Sequence, residues 1–152
     1  MYSNSSEVGN VGETIALSEF AKRGITVLIP FGQNVPYDLV IEINNKLYKI
    51  QCKTTQKLID GCKMRFNICR TNGFTGTHNT YTEKEIDFLC LYCIENDYIA
   101  LVPIKEVLNQ REFIIRTTKP RNNQTYGIHM ANDYALENQL RTISTTVSAS
   151  GS

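Results

Sequence analysis

The sequence predicts one α/β domain built around a single sheet. Its 152 residues suffice for one compact core. An opening segment carries apolar residues at helical spacing, and several short segments after it are apolar, β-branched or alternating. A composition of 41% hydrophobic and 20% charged residues is that of a globular chain and excludes a largely disordered one. No internal repeat is present. The reading places the domain in residues 1–143 and a disordered tail in residues 144–152, where Ser, Thr, Ala, Val and Gly offer little to pack.

From Val8 to Arg23 the chain reads as a helix. Ala16, Leu17, Phe20 and Ala21 are spaced as one face, and Gly24 is the stop. Ile25 to Ile29 reads as a short buried strand ended by Pro30 and the loop Phe31 to Pro36. Leu39 to Ile43 and Leu47 to Thr55 alternate as two strands joined through Asn44, Asn45 and Lys46. Met64 to Ile68 reads as a strand, and Arg70 to Tyr81 as an exposed polar loop. Phe88 to Ile94 and Tyr98 to Val102 form a hairpin across Glu95, Asn96 and Asp97. Pro103 opens a short helix to Leu108, Phe113 to Ile115 is one more strand, and Lys119 to Tyr126 is a polar connection.

Charge and cysteine usage narrow the function classes. Sixteen Lys and Arg against fifteen Asp and Glu leave a net charge of +1, which names neither a nucleic-acid nor a membrane partner. No apolar run approaches the roughly 18 residues of a membrane span, and Met1 to Gly12 has no signal-peptide pattern, so an intracellular protein, cytoplasmic or nucleoid-associated, is expected. The five cysteines, Cys52, Cys62, Cys69, Cys90 and Cys93, are odd in number and sit mostly among apolar residues, as reduced thiols do. Cys90 and Cys93 form a C-x-x-C that invites a zinc reading. On a strand, residues three apart face opposite ways, which favours buried packing instead.

The chemistry concentrates in the first hairpin. With Asn44 and Asn45 as the turn, Asp38 faces Gln51. Leu39, Ile41, Ile43, Tyr48, Ile50 and Cys52 then share one face, and Asp38, Val40, Glu42, Lys49, Gln51 and Lys53 the other. A carboxylate, an amide oxygen and an amine at one end of a hairpin suit a hard divalent cation such as Mg²⁺, with the backbone carbonyl of Cys52 lying between. Lys53 stands where it can orient water or offset charge on phosphate. Surface placement of the same charges is the competing account. Glu13 argues against it, because it heads the stripe Glu13, Ala16, Leu17, Phe20 and so faces where an apolar side chain is expected.

With Gly12-Glu13, Pro36-Tyr37-Asp38, Gln51-Cys52-Lys53 and Thr54 in place, the chain resembles the PD-(D/E)XK nuclease superfamily. Ile86 to Val107 and Arg116 to Ala135 are similar to its small members, which include group I intron-encoded homing endonucleases. The resemblance implies a restriction-endonuclease-like core, a central mixed β-sheet flanked by helices. It makes Asp38 the central metal-binding acid, Lys53 the signature lysine and Glu13 the acid of the first helix. Gln51, where the family usually carries Asp or Glu, is the departure. The implied reaction is Mg²⁺-dependent hydrolysis of DNA phosphodiesters, with Mn²⁺ as a substitute and with Glu13, Asp38, Gln51 and Cys52 as the metal set. One site cuts one strand, so a double-strand cut implies a homo-oligomer, dimer or tetramer. A restriction or repair nuclease and a catalytically inactive DNA-binding protein are the alternatives.

DNA contacts are expected from Lys57, Lys63, Arg65, Asn67, Arg70, Asn72 and His78, a basic and polar run adjoining the proposed site. Lys119, Arg121, Asn122, Asn123 and Gln124 form a second candidate run. For each run a solvated loop is the competing account.

Overall fold

In a computed structural model, residues 2–32, 34–71 and 74–150 are described, with side chains described through residue 145. A first helix, α1 (Ser5–Lys22), leads into the edge strand β1 (Thr26–Leu28) and the hairpin β2 (Leu39–Ile43) and β3 (Lys46–Thr55). Next come β4 (Lys63–Asn67) and the two-residue strands β5 (Arg70–Thr71) and β6 (His78–Asn79). The hairpin β7 (Phe88–Cys93) and β8 (Tyr98–Pro103), a 3₁₀ turn at Ile104–Glu106, and β9 (Glu112–Arg116) follow. Two helices, α2 (Ala131–Tyr134) and α3 (Leu136–Ser150), close the chain.

The central sheet has five strands in the order β1-β2-β3-β7-β8. It is mixed, because β3 and β7 run parallel while the other neighbours are antiparallel. Asn44 and Asn45 take φ of 52° and 65°, the left-handed pair a two-residue hairpin turn requires, and fix Leu39 opposite Ile50. One face of the sheet packs Ile41, Ile50, Cys90 and Leu101 against Ala16 and Phe20 of α1 and Leu136, Leu140 and Ile143 of α3. On the other face Leu89, Leu91 and Cys93 meet Met64, Phe66, Phe113 and Ile115 of the β4/β9 ribbon, with Ala131 and Tyr134 of α2 at its side. Every residue of β7 is therefore buried, and Cys90 and Cys93 lie in different cores, out of reach of a common ion.

The first helix starts three residues before the predicted Val8. Asn4 caps it by accepting the Glu7 N–H at 2.9 Å, and Glu7 reaches back to the Ser3 N–H at 2.9 Å. Its buried face is Val8, Gly12, Ala16 and Phe20, a row at i+4 spacing, while Leu17 is 39% exposed. The predicted inward stripe through Glu13 and Leu17 is thus rotated by about one position. Gly12 is the cause. A Cβ built there would lie 1.7 Å from Thr54 Oγ1, so only glycine lets α1 sit directly on β3.

Other expectations shift for local reasons. Ile25 to Ile29 is an edge strand instead of a buried one, with Leu28 and Ile29 43% and 62% exposed. Within Arg70 to Tyr81 the chain forms the small β5/β6 hairpin and then buries Tyr81. The helix from Pro103 shrinks to the 3₁₀ turn. α3 takes in residues 144–150, which the sequence reading gave to a disordered tail. No helix among the described residues is long and apolar enough to cross a membrane.

Gly12→Ala should destabilise the protein by about 2 kcal/mol. The methyl overlaps Thr54 by more than the roughly 1 kcal/mol of helix propensity that alanine gains. Thr54 Oγ1 is buried with no hydrogen-bond partner among the described residues, so Thr54→Ala should be close to neutral and should rescue Gly12→Ala. Urea unfolding of the two single variants and the double variant measures the coupling. Equal losses in Gly12→Ala and the double variant would refute the contact.

Candidate active site

The site forms where β3 outruns β2. Pairing between them ends at Leu39 and Ile50, with one further bond from Asp38 N to Ile50 O at 2.8 Å. Past that point the Cys52 peptide groups are taken by side chains. Asp38 Oδ2 accepts the Cys52 N–H at 2.9 Å and the Gln51 Nε2–H at 2.8 Å. Gln51 Nε2 also donates to the Cys52 carbonyl at 3.2 Å. Two oxygens, Asp38 Oδ2 and Cys52 O, therefore converge on the positively polarised hydrogens of one amide group.

Glu13 follows Gly12, so the close seating of α1 on Thr54 brings its carboxylate to the mouth of the same cleft. Burial and then the neighbouring Asp38 charge raise the Glu13 pKa above its ordinary value. Asp38 is raised as well, by burial, which outweighs the Cys52 N–H and the Lys53 charge. Lys53 Nζ donates to the Cys69 carbonyl at 2.8 Å and lies 5.4 Å from the centre of the Tyr81 ring. Burial lowers its pKa, with Asp38 acting in the opposite direction. Tyr81, pushed up to about 12 chiefly by burial, presents a neutral ring to that ammonium. Cys52 turns its thiol into the core, where a hydrogen bond with Cys90 and burial hold it protonated, so its carbonyl is its contribution to the site.

Glu13, Asp38, Gln51, Cys52 and Lys53 line a cleft of about 780 Å³ that also includes Lys57, Asn67 and Cys69. Among the described residues no three His, Cys, Asp or Glu side chains converge, so a cation here would rest on two carboxylates and neutral oxygens. The donor set fits a hard cation: its oxygens already converge on a donor nitrogen, and its two carboxylates both have raised pKa values.

The predicted DNA contacts divide. Arg65, Asn67 and His78 line a second cleft of about 750 Å³ that shares Thr54, Thr55, Asn67 and Cys69 with the first, so the two form one trough. Arg65 faces Glu112 at 3.6 Å and Arg70 pairs with Glu85 at 3.0 Å. Asn67 Oδ1 accepts the Cys69 N–H at 3.0 Å, and His78 Nδ1 lies 3.3 Å from Thr71 Oγ1. Lys63 pairs with Asp60 and lines a different cleft beside Arg116 and His129. Asn72 lies outside the described residues.

Lys119, Asn123 and Gln124 line a further cleft that shares no lining residue with the trough. Asn122 closes a local turn by accepting the Gln124 N–H, and Arg121 is exposed. The structure does not bring this second run together with the first. Sequence reasoning missed Tyr81, hidden in an apparent polar loop, and Arg111, which reaches the trough from the β9 side.

A search of curated protein sequences finds no match. Among solved structures, a bacterial homing endonuclease, I-Ssp6803I, superposes with a TM-score of 0.75 at 21% identity, covering 99% of each chain. The family model described as PD-(D/E)XK endonuclease matches residues 3–137. The mixed five-stranded sheet, the first helix and the β4/β9 ribbon fall within that match, and the chain belongs to the PD-(D/E)XK endonuclease family.

Proposed function

We propose that this endonuclease is a metal-dependent, sequence-specific enzyme cutting both strands of DNA, of the intron-encoded homing type. The observation that carries the reading is the convergence of Asp38 Oδ2 and the Cys52 carbonyl on one point, in a cleft that also holds Glu13 and the Lys53 ammonium. Glu13, Asp38 and the Cys52 carbonyl, joined by the Gln51 side-chain oxygen once its amide turns over, would hold Mg²⁺, or Mn²⁺ in its place, which would supply Lewis-acid polarisation of the phosphate and a more acidic water.

The chain's own groups do the rest. Lys53, held by the Cys69 carbonyl and the Tyr81 ring, places a positive charge where negative charge grows as water attacks phosphorus and the 3′ oxygen departs. The products are a 5′ phosphate and a 3′ hydroxyl. Asp38 is anchored through the Cys52 N–H, which holds its carboxylate in place at the cleft. One site cuts one strand, so a double-strand cut calls for a homodimer or homotetramer, in the cytoplasm or on the nucleoid.

A second reading, a DNA-binding protein without activity, draws on Gln51, whose amide nitrogen lies against two of the oxygens the reaction needs. Incubating the protein with a library of long duplexes in Mg²⁺ and in EDTA separates the two. Specific double-strand cuts that need Mg²⁺ and vanish in Asp38→Ala and Lys53→Met support the enzyme. Tight binding with no cutting in Mg²⁺ or Mn²⁺ favours the second reading, and neither binding nor cutting sinks both.

A further inference from the structure

We infer that Arg111 is a DNA-contacting residue that grips a backbone phosphate flanking the one cut and so sets the register of the duplex on the site. The inference rests on the DNA-cutting reading above. Arg111 lies just before β9 and lines the outer half of the trough. Its backbone is pinned, because its carbonyl accepts the Ile68 N–H at 3.0 Å and lies 3.5 Å from Cys69 Sγ. Cys69 in turn offers its own carbonyl to Lys53 Nζ at 2.8 Å. A single residue thus ties the main chain at Arg111 to the ammonium at the reacting centre.

The charges along the trough leave this guanidinium uncommitted. Lys53 is bonded to Cys69, and Arg65 faces Glu112. Arg111 is exposed, and its side chain has no hydrogen bond or ion pair among the described residues. An unpaired guanidinium on a fixed backbone, in a groove continuous with a phosphate-cleaving centre, is suited to a bidentate phosphate contact. Such contacts position a duplex without reading its sequence.

The test uses the full-length chain and a mixed-sequence 60-base-pair duplex, with binding measured in EDTA across a salt series. Arg111→Ala should weaken binding about three- to tenfold and reduce the slope of log K against log salt by about 0.9, the loss of one phosphate contact. Arg111→Lys should keep the slope, and Arg141→Ala, on the exposed side of α3, should change neither quantity. Among the described residues the hydrogen bonds of Arg111 are made by main-chain atoms, so the variants should melt with the wild type. On a cleaved duplex, Arg111→Ala should also scatter the cut positions. An unchanged slope and affinity in a folded Arg111→Ala overturns the inference while leaving the nuclease reading intact. The nuclease reading instead fails if the wild-type protein binds the duplex but does not cut it in Mg²⁺ or Mn²⁺.

Discussion

Asp38→Asn is expected to lower DNA cleavage at least about 10³-fold, about 4 kcal/mol of barrier, while leaving the metal-free protein no easier to unfold near pH 8. The catalytic loss follows from removing the anionic oxygen fixed against Cys52 and Gln51. The stability result follows from linkage. The Asp38 pKa is raised above its ordinary 3.8, so between that value and the raised one the native state holds more protons than the unfolded chain. Native stability from this group is therefore present at low pH and falls as pH rises through the window. Glu13, raised above 4.5, acts with the same sign. Asparagine does not ionise and escapes the penalty, and its side-chain oxygen can still accept the Cys52 N–H. The melting temperature of Asp38→Asn relative to wild type, in EDTA, should accordingly improve from about pH 4 to about pH 8. Cleavage within tenfold of wild type would remove Asp38 from the reacting centre. A large melting deficit that does not change with pH would show that the carboxylate is structural.

The hairpin that carries Asp38 was legible because its apolar residues alternate strictly, and a slip by one place would have mixed Leu39, Ile41 and Ile50 with Asp38, Gln51 and Lys53. The side chains that flank it were harder to place. Hydrophobic patterning gives glycine no weight, yet Gly12 leaves no room for a Cβ against Thr54, and its seating turns Leu17 outward and swings Glu13 to the cleft mouth. The last helix carries a readable stripe, Leu136, Leu140 and Ile143, masked by the Ser and Thr that follow it. Basic residues close together in the chain looked like one phosphate-binding run, but acidic partners distant in sequence pair with Arg65 and Arg70. Arg111 enters the trough only because β9 pairs with β4, an association that no local pattern encodes.

Gln51→Glu should loosen the metal-free fold and tighten its hold on Mg²⁺. The wild-type amide nitrogen bridges Asp38 Oδ2 at 2.8 Å and the Cys52 carbonyl at 3.2 Å, meeting two acceptors with a donor. Glutamate has no donor to offer at neutral pH and sets a third carboxylate beside Asp38 and Glu13. The lost bonds and the added repulsion should cost about 2 kcal/mol in EDTA, lowering the melting temperature by about 5 °C. A hard dication reverses the sign, since an anionic oxygen binds it better than a neutral one. Mg²⁺ affinity should rise at least about tenfold, adding about 1.4 kcal/mol to the stabilisation at saturating metal. Melting curves of both proteins over a Mg²⁺ titration give the two effects together. If the amide is an internal stand-in for the cation, the metal-free curves separate and the saturated curves draw together. Coincident curves in EDTA, or a smaller Mg²⁺ shift in Gln51→Glu, would mean that Gln51 faces no cation position and that the oxygens of Asp38 and Cys52 converge for structural reasons alone.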